Sequence, residues 1–267
     1  MTKFITMIQQ QFAYKVTNIV KTDSSLVGLA VAGSWLTNEI DEFSDLDLII
    51  VTKEKITGSK ENMFAYASQY GTLLSAFTGE HVGEPRLLIC LYDSPLLHVD
   101  IKFVTIDEFR SRIETPTILA DTENQLQQVI DQTTSEFPYP DYQWIEDRFW
   151  VWIHYALLKI GRGEYFEAMD FFGYLRLVVL GPLLHIKNGN LPRGVRRVES
   201  QLPVNDLSAL KLTMAEHNKL SLLTAIENTI TLYRSLRENL FGKDVLLHTA
   251  AEEKVLLFLE EIEKPTI

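Results

Sequence analysis

The chain has 267 residues, 46% of them hydrophobic, with 13 Gly, 9 Pro and a formal net charge of -11. That is enough apolar material for one large core or two small ones, and it argues against intrinsic disorder. Its most apolar run, from Leu175 to Ile186, is shorter than the roughly 18 residues of a membrane helix and is interrupted by Arg176, Pro182 and His185, so no membrane partner is expected.

The N-terminus turns polar at Gln9, Gln10 and Gln11 and lacks the pattern of a secretory signal, and the single Cys90 has no partner for an internal disulfide. Both point to the cytoplasm. Most of the negative charge falls in residues 1–140. Such a surface repels nucleic acid and favours cations or a basic small molecule.

In chain order, Phe4, Ile8, Phe12, Val16 and Ile19 recur at helical spacing, which predicts a helix over 4–21. Leu26 to Ala32 and Leu46 to Val51 read as buried strands on either side of a polar turn. Residues 62–77 read as a second helix. Arg86 to Tyr92 and Leu97 to Val104 read as strands joined by the turn Asp93-Ser94-Pro95. Thr105, followed by Ile106-Asp107-Glu108-Phe109, reads as a cap and the acidic first turn of a short helix. The prolines at 138 and 140 mark a boundary, which predicts an N-terminal α/β domain over 1–137.

Beyond the boundary, residues 141–267 carry helical periodicity over 144–160, 164–186, 218–240 and 245–262, which predicts an all-α bundle. A loop over 188–203 contains Arg193, Arg196 and Arg197, read here as structural and balanced by Glu199. Glu146, Asp147 and His154 read as surface or satisfied helix positions, and the aromatics Phe149, Trp150, Trp152, Phe171, Phe172 and Tyr174 as core. The six histidines show no metal-ligand spacing.

The chemistry-bearing pattern is Gly33-Ser34, ten intervening residues, then Asp45-Leu46-Asp47. Residues i and i+2 of a strand point to one face, so Asp45 and Asp47 would stand together while Leu46 and Leu48 enter the core. Paired carboxylates are costly unless a cation neutralises them, and oxygen ligands favour Mg²⁺. Asp100, within the apolar strand His98-Val99-Asp100-Ile101, would complete the constellation if its strand lies beside that of Asp47. The alternative for Asp100 is a same-face pair with Lys102. Gly33 and Ser34 follow a strand at a turn where backbone N–H groups and a hydroxyl can meet phosphate oxygens.

Gly33-Ser34, Asp45-Leu46-Asp47 and Asp100 together resemble the signature of the DNA polymerase β-like nucleotidyltransferase superfamily, in its antibiotic-modifying branch. The resemblance implies a mixed-sheet α/β catalytic domain with flanking helices, followed by a helical domain, with the acceptor between them. It also implies that Asp45, Asp47 and Asp100 hold two Mg²⁺ ions, and that Asp100 helps deprotonate the acceptor hydroxyl. Lys159 and Arg162, in Leu158-Lys159-Ile160-Gly161-Arg162-Gly163-Glu164, are similar to a Lys/Arg/Glu stretch of aminoglycoside adenylyltransferases, which implies nucleotide binding; their other reading is as helix-end cations. The implied activity is transfer of AMP from ATP to a hydroxyl of an aminoglycoside or lincosamide, and the resemblance allows a homodimer. Transfer to a protein, and a non-catalytic antitoxin-like binding protein on the same fold, stay open as alternatives.

Overall fold

The computed structural model describes residues 7–37 and 39–264, so Phe4 and the predicted start of the first helix lie outside the described residues. The chain divides into two compact units, Met1–Phe137 and Pro138–Ile267.

The first unit opens with α1 (Ile8–Val20), which buries Ala13, Val16 and Val20; of the apolar positions that predicted the helix, Val16 is fully buried and Ile8, Phe12 and Ile19 are half-buried against the core. β1 (Leu26–Val31) is buried at all six positions, as befits a strand covered on both faces. β2 (Leu46–Thr52) alternates at its start, with Leu46, Leu48 and Ile50 in the core and Asp47 and Ile49 on the other side. α2 (Lys60–Tyr70) begins at Ser59, whose hydroxyl accepts the Asn62 N–H at 3.3 Å.

Here the structure departs from the sequence reading. The helix expected to run to Phe77 stops at Tyr70, and Thr72–Gly79 forms β3. The extended backbone of Gly71 ends the helix. Beyond it, Leu73, Leu74 and Ala76 suit either period, and Thr72, Phe77 and Thr78 favour a strand.

β4 (Glu84–Asp93) and β5 (Leu97–Thr105) follow as expected, and α3 (Ile106–Phe109) leaves β5 through a capping box. The Thr105 hydroxyl accepts the Glu108 N–H at 3.4 Å, and the Glu108 carboxylate accepts the Thr105 N–H at 2.9 Å. Two further elements were not expected from the sequence, β6 (Thr117–Asp121) and α4 (Gln125–Gln132). The strand has only five residues, too few to show a period, and five of the eight helical residues are Gln or Asp.

The described residues of this unit form a six-stranded mixed sheet in the order β3-β4-β5-β2-β1-β6, in which β2 and β5 run parallel and the remaining pairs antiparallel. α1 and α2 cover one face, where Ala13, Val16, Met63 and Ala67 join Leu48, Ile50, Ile101 and Phe103 in the main core. On the opposite face a smaller core of Val27, Ala30, Val51, Val104, Phe109, Leu126 and Val129 is built with α3 and α4. The part of that second face beside this small core carries the carboxylates.

The second unit is helical: α5 (Tyr142–Arg162), α6 (Tyr165–Leu175), α7 (Gly181–Lys187), α8 (Val198–Gln201), α9 (Val204–Lys211), α10 (Lys219–Leu240) and α11 (Thr249–Glu263). Asp141 caps α5 by accepting the N–H groups of Gln143 and Trp144 at 2.8 and 3.1 Å. α8 falls inside the segment expected to be a loop, and α9 follows it. A π-helical turn, Arg176–Leu180, joins α6 to α7. The stretch Tyr165–Lys187 that results is long and apolar enough to cross a membrane by length and composition, and half of its apolar window is buried inside the protein. Phe149, Trp150, Phe172, Leu180, Leu184, Tyr233 and Leu236 fill the core, with Phe149 and Tyr233 stacked. Trp152 and Phe171 pack at its margin and Tyr174 is exposed by 40%, so the aromatic set is core only in part.

Glu146 is fully buried in this unit. Its carboxylate takes the Tyr233 hydroxyl and, at 2.9 Å, the His248 N–H, while Arg237 lies at 3.6 Å. Burial and the adjacent carboxylate push the Tyr233 phenol far above its ordinary range.

Candidate active site

Alternation in β2 aims Asp47 away from the core that holds Leu46 and Leu48. β5 repeats the pattern: Val99 and Ile101 are buried, and Asp100 lies between them on the other face. The parallel pairing of β2 with β5 sets Asp47 directly opposite Asp100, with Leu46 opposite Val99 and Leu48 opposite Ile101. One register therefore serves both the core and the carboxylate pair.

Asp45 sits one residue before β2, in the segment that leads into it, rather than on the strand. Among the described residues, no group of three or more His, Cys, Asp and Glu side chains is assembled to hold a metal ion. One Asp100 oxygen is engaged by His98, whose Nε2 lies 2.9 Å from Oδ1, and Asp45 is not among the residues around the cavity described below. Lys102, the alternative partner of Asp100, reaches Glu84 at 2.7 Å instead.

Mg²⁺ is commonly held by only one or two carboxylates together with substrate phosphates and water. Two facing aspartates and an open cavity fit an ion of that kind, held jointly with a polyphosphate.

Gly33 opens a short turn of 3₁₀ helix, Gly33–Trp35, directly after β1. Its φ of +64° is a conformation that L side chains rarely adopt, and the Asp47 carboxylate occupies the space a Cβ there would need. The turn and the aspartate are thus packed against each other, with Ser34 as the next residue. The Gly33 N–H donates to Glu114 Oε1 at 2.8 Å.

Glu114 comes from the segment between α3 and β6, and no sequence signal singles it out. Arg112 anchors that segment by donating to the Thr133 hydroxyl and, at 2.6 Å, to the Thr133 carbonyl. Between this segment and the sheet lies a cavity of about 160 Å³, lined among others by Asp47, Asp100, Lys102, Glu108, Arg112 and Glu114.

Two carboxylates near it, Glu84 beside the lining Lys102 and Glu108 on the lining itself, are paired with cations. Burial would raise the Glu84 carboxyl, but hydrogen bonds from Arg86 and Lys102 outweigh it and bring it down to about 2. Burial acts the same way on Glu108, and the Thr105 N–H and Lys55 hold it below the usual carboxylate range.

Lys159 and Arg162 belong to the second unit, in the last turn of α5. Lys159 is bound to Glu164 at 2.6 Å, and Arg162 approaches the same carboxylate at 3.8 Å. Asp147 pairs with His248 at 2.9 Å, and His154 packs on the Phe258 ring.

The sequence matches no protein-family model and no curated protein. Among solved structures, the chain is similar to an aminoglycoside 6-adenyltransferase from Bacillus subtilis. The two are 12% identical, with 96% of this chain and 98% of that one covered, at a TM-score of 0.39. It is also similar to a nucleotidyltransferase-like protein from Exiguobacterium sibiricum, at 12% identity, 94% and 88% coverage and a TM-score of 0.35.

Proposed function

We propose that the chain transfers a nucleoside monophosphate, AMP from ATP, to a hydroxyl of a small molecule such as an aminoglycoside or lincosamide antibiotic, and releases pyrophosphate. The observation that carries this reading is the register of β2 against β5, which brings Asp47 and Asp100 face to face at the edge of a cavity. Two adjacent like charges are a cost to the empty fold. A site that holds them together is suited to a cation that moves with a phosphate chain.

In this reading Asp45, Asp47 and Asp100 hold Mg²⁺, one ion or two, which supplies neutralisation of the triphosphate charge and polarisation of the acceptor hydroxyl. The chain's own residues do the remainder. The turn at Gly33 and Ser34 receives the β- and γ-phosphates through backbone N–H and hydroxyl donors. The Asp100 carboxylate takes the acceptor proton as the hydroxyl oxygen bonds to the α-phosphorus. The bond from the α-phosphorus to the bridging oxygen breaks, and pyrophosphate leaves with the electron pair. Positioning and charge neutralisation provide most of the acceleration in such displacements.

The test is pyrophosphate release by the purified full chain with Mg²⁺, each of the four NTPs and a panel of aminoglycosides and lincosamides, with Asp47→Asn as control. Release that requires one acceptor and vanishes in the control supports the reading. Absence of release across the panel, with nucleotide still bound, removes the small-molecule acceptor and leaves a protein acceptor or a binding role.

A further inference from the structure

We propose that His98 is the positioning residue of the Asp100 carboxylate, fixing the orientation in which that group meets a divalent cation. The inference rests on the reading of Asp100 as a cation ligand given above.

His98 and Asp100 are alternate residues of β5, so both leave the same face of the sheet while Leu97, Val99 and Ile101 enter the core. His98 Nε2 stands 2.9 Å from Asp100 Oδ1. An ionised carboxylate only accepts, so Nε2 carries the hydrogen and the imidazole is the donor.

The pair is asymmetric in exposure. The His98 side chain is 51% accessible and that of Asp100 22%, so the imidazole is the more exposed partner. Lys102, the next residue on this face, reaches Glu84. His98 is not among the residues lining the cavity, whereas Asp100 is. A ring that touches the acid from outside the cavity acts through it rather than on the substrate.

An Asp side chain turns about two torsions, and a donor locked to one oxygen restricts the plane in which the carboxylate can offer itself to a cation. Outer partners of this kind change metal affinity by roughly 10- to 100-fold when removed. Nothing in the packing of β5 requires a histidine at a half-exposed position; a hydrogen bond to the acid gives one.

The experiment measures Mn²⁺ binding by electron paramagnetic resonance, with the full chain and a non-hydrolysable α,β-methylene ATP, for wild type, His98→Ala, His98→Gln and Asp100→Asn. His98→Ala is expected to lose about 10- to 100-fold in Mn²⁺ affinity with an unchanged Tm of the metal-free protein. His98→Gln, whose amide N–H can reach the same oxygen, is expected to recover most of it. In turnover, the alanine variant should lower kcat and leave the acceptor KM near wild type.

Wild-type Mn²⁺ affinity in His98→Ala, alongside loss in Asp100→Asn, overturns the role of His98 and leaves the site standing. Equal loss in the alanine and glutamine variants overturns it too. Wild-type affinity in Asp100→Asn removes the cation site itself, and the role of His98 with it.

Discussion

Asp47 of β2 and Asp100 of β5 occupy directly opposed positions of a parallel strand pair, between residues that belong to the main core. At a strand spacing of about 5 Å and an effective dielectric constant of about 20, two such charges repel by on the order of 3 kcal/mol. Asp47→Asn and Asp100→Asn should therefore fold at least as stably as wild type, while transfer falls by on the order of 10³-fold. Thermal unfolding and pyrophosphate release on the same preparations check both halves, and wild-type turnover in either variant sinks the mechanism.

Gly33→Ala places a methyl group where the Asp47 carboxylate sits, on a backbone with φ of +64°. The cost should be about 1–2 kcal/mol in urea unfolding. Because Asp47 must move, transfer should fall by more than the loss of stability explains. A variant with wild-type activity would show that the contact between the turn and the aspartate is dispensable.

Glu114→Ala frees the Gly33 N–H from a carboxylate that now holds it at 2.8 Å. If a phosphate is to use that donor, removal of the competing anion should tighten binding of ATP with Mg²⁺ by several-fold in calorimetry. Weaker binding would mean that Glu114 supports the turn instead of competing for it.

Glu84 gives a pH-dependent test. Its carboxyl lies at about 2 in the folded state, below the ordinary glutamate value of 4.5. A depressed carboxyl stabilises the fold above its unfolded pKa, and that contribution is lost as pH falls through the folded value. The Tm gap between wild type and Glu84→Gln should therefore be open at neutral pH and close between pH 4.5 and about 2. A constant gap across that range would show that ionisation of Glu84 contributes nothing.

Glu146→Ala removes the acceptor shared by Tyr233 and His248 inside the helical unit. Opening a buried network of this kind should cost about 3–5 kcal/mol. Denaturant unfolding monitored by tryptophan fluorescence reports it, and a change below about 1 kcal/mol would contradict the burial of this carboxylate.

Much of this frame was legible before the structure. Period two in β2 and β5 placed Asp47 and Asp100 away from the core, and a long apolar run identified β1. β3 was lost to a helix because Leu73, Leu74 and Ala76 satisfy both periods, and β6 was too short to show one. Of the side chains around the aspartates, His98 was within reach of the same alternation rule, being two residues from Asp100. Glu114 lies 81 residues from the Gly33 it touches, and its place depends on the Arg112 anchor to Thr133 and on the pairing of β1 with β6, neither of which leaves a local trace.

The parallel pairing of β2 with β5 has a consequence for how this enzyme-like site can fail. A shift of one residue between the two strands would turn Val99 and Ile101 out of the core and Asp100 into it. The hydrophobic cost of that slip polices the alignment of the acids, so a misaligned chain is removed as a folding failure before it can persist as an inactive protein. Selection on folding alone would then keep positions 47 and 100 in line.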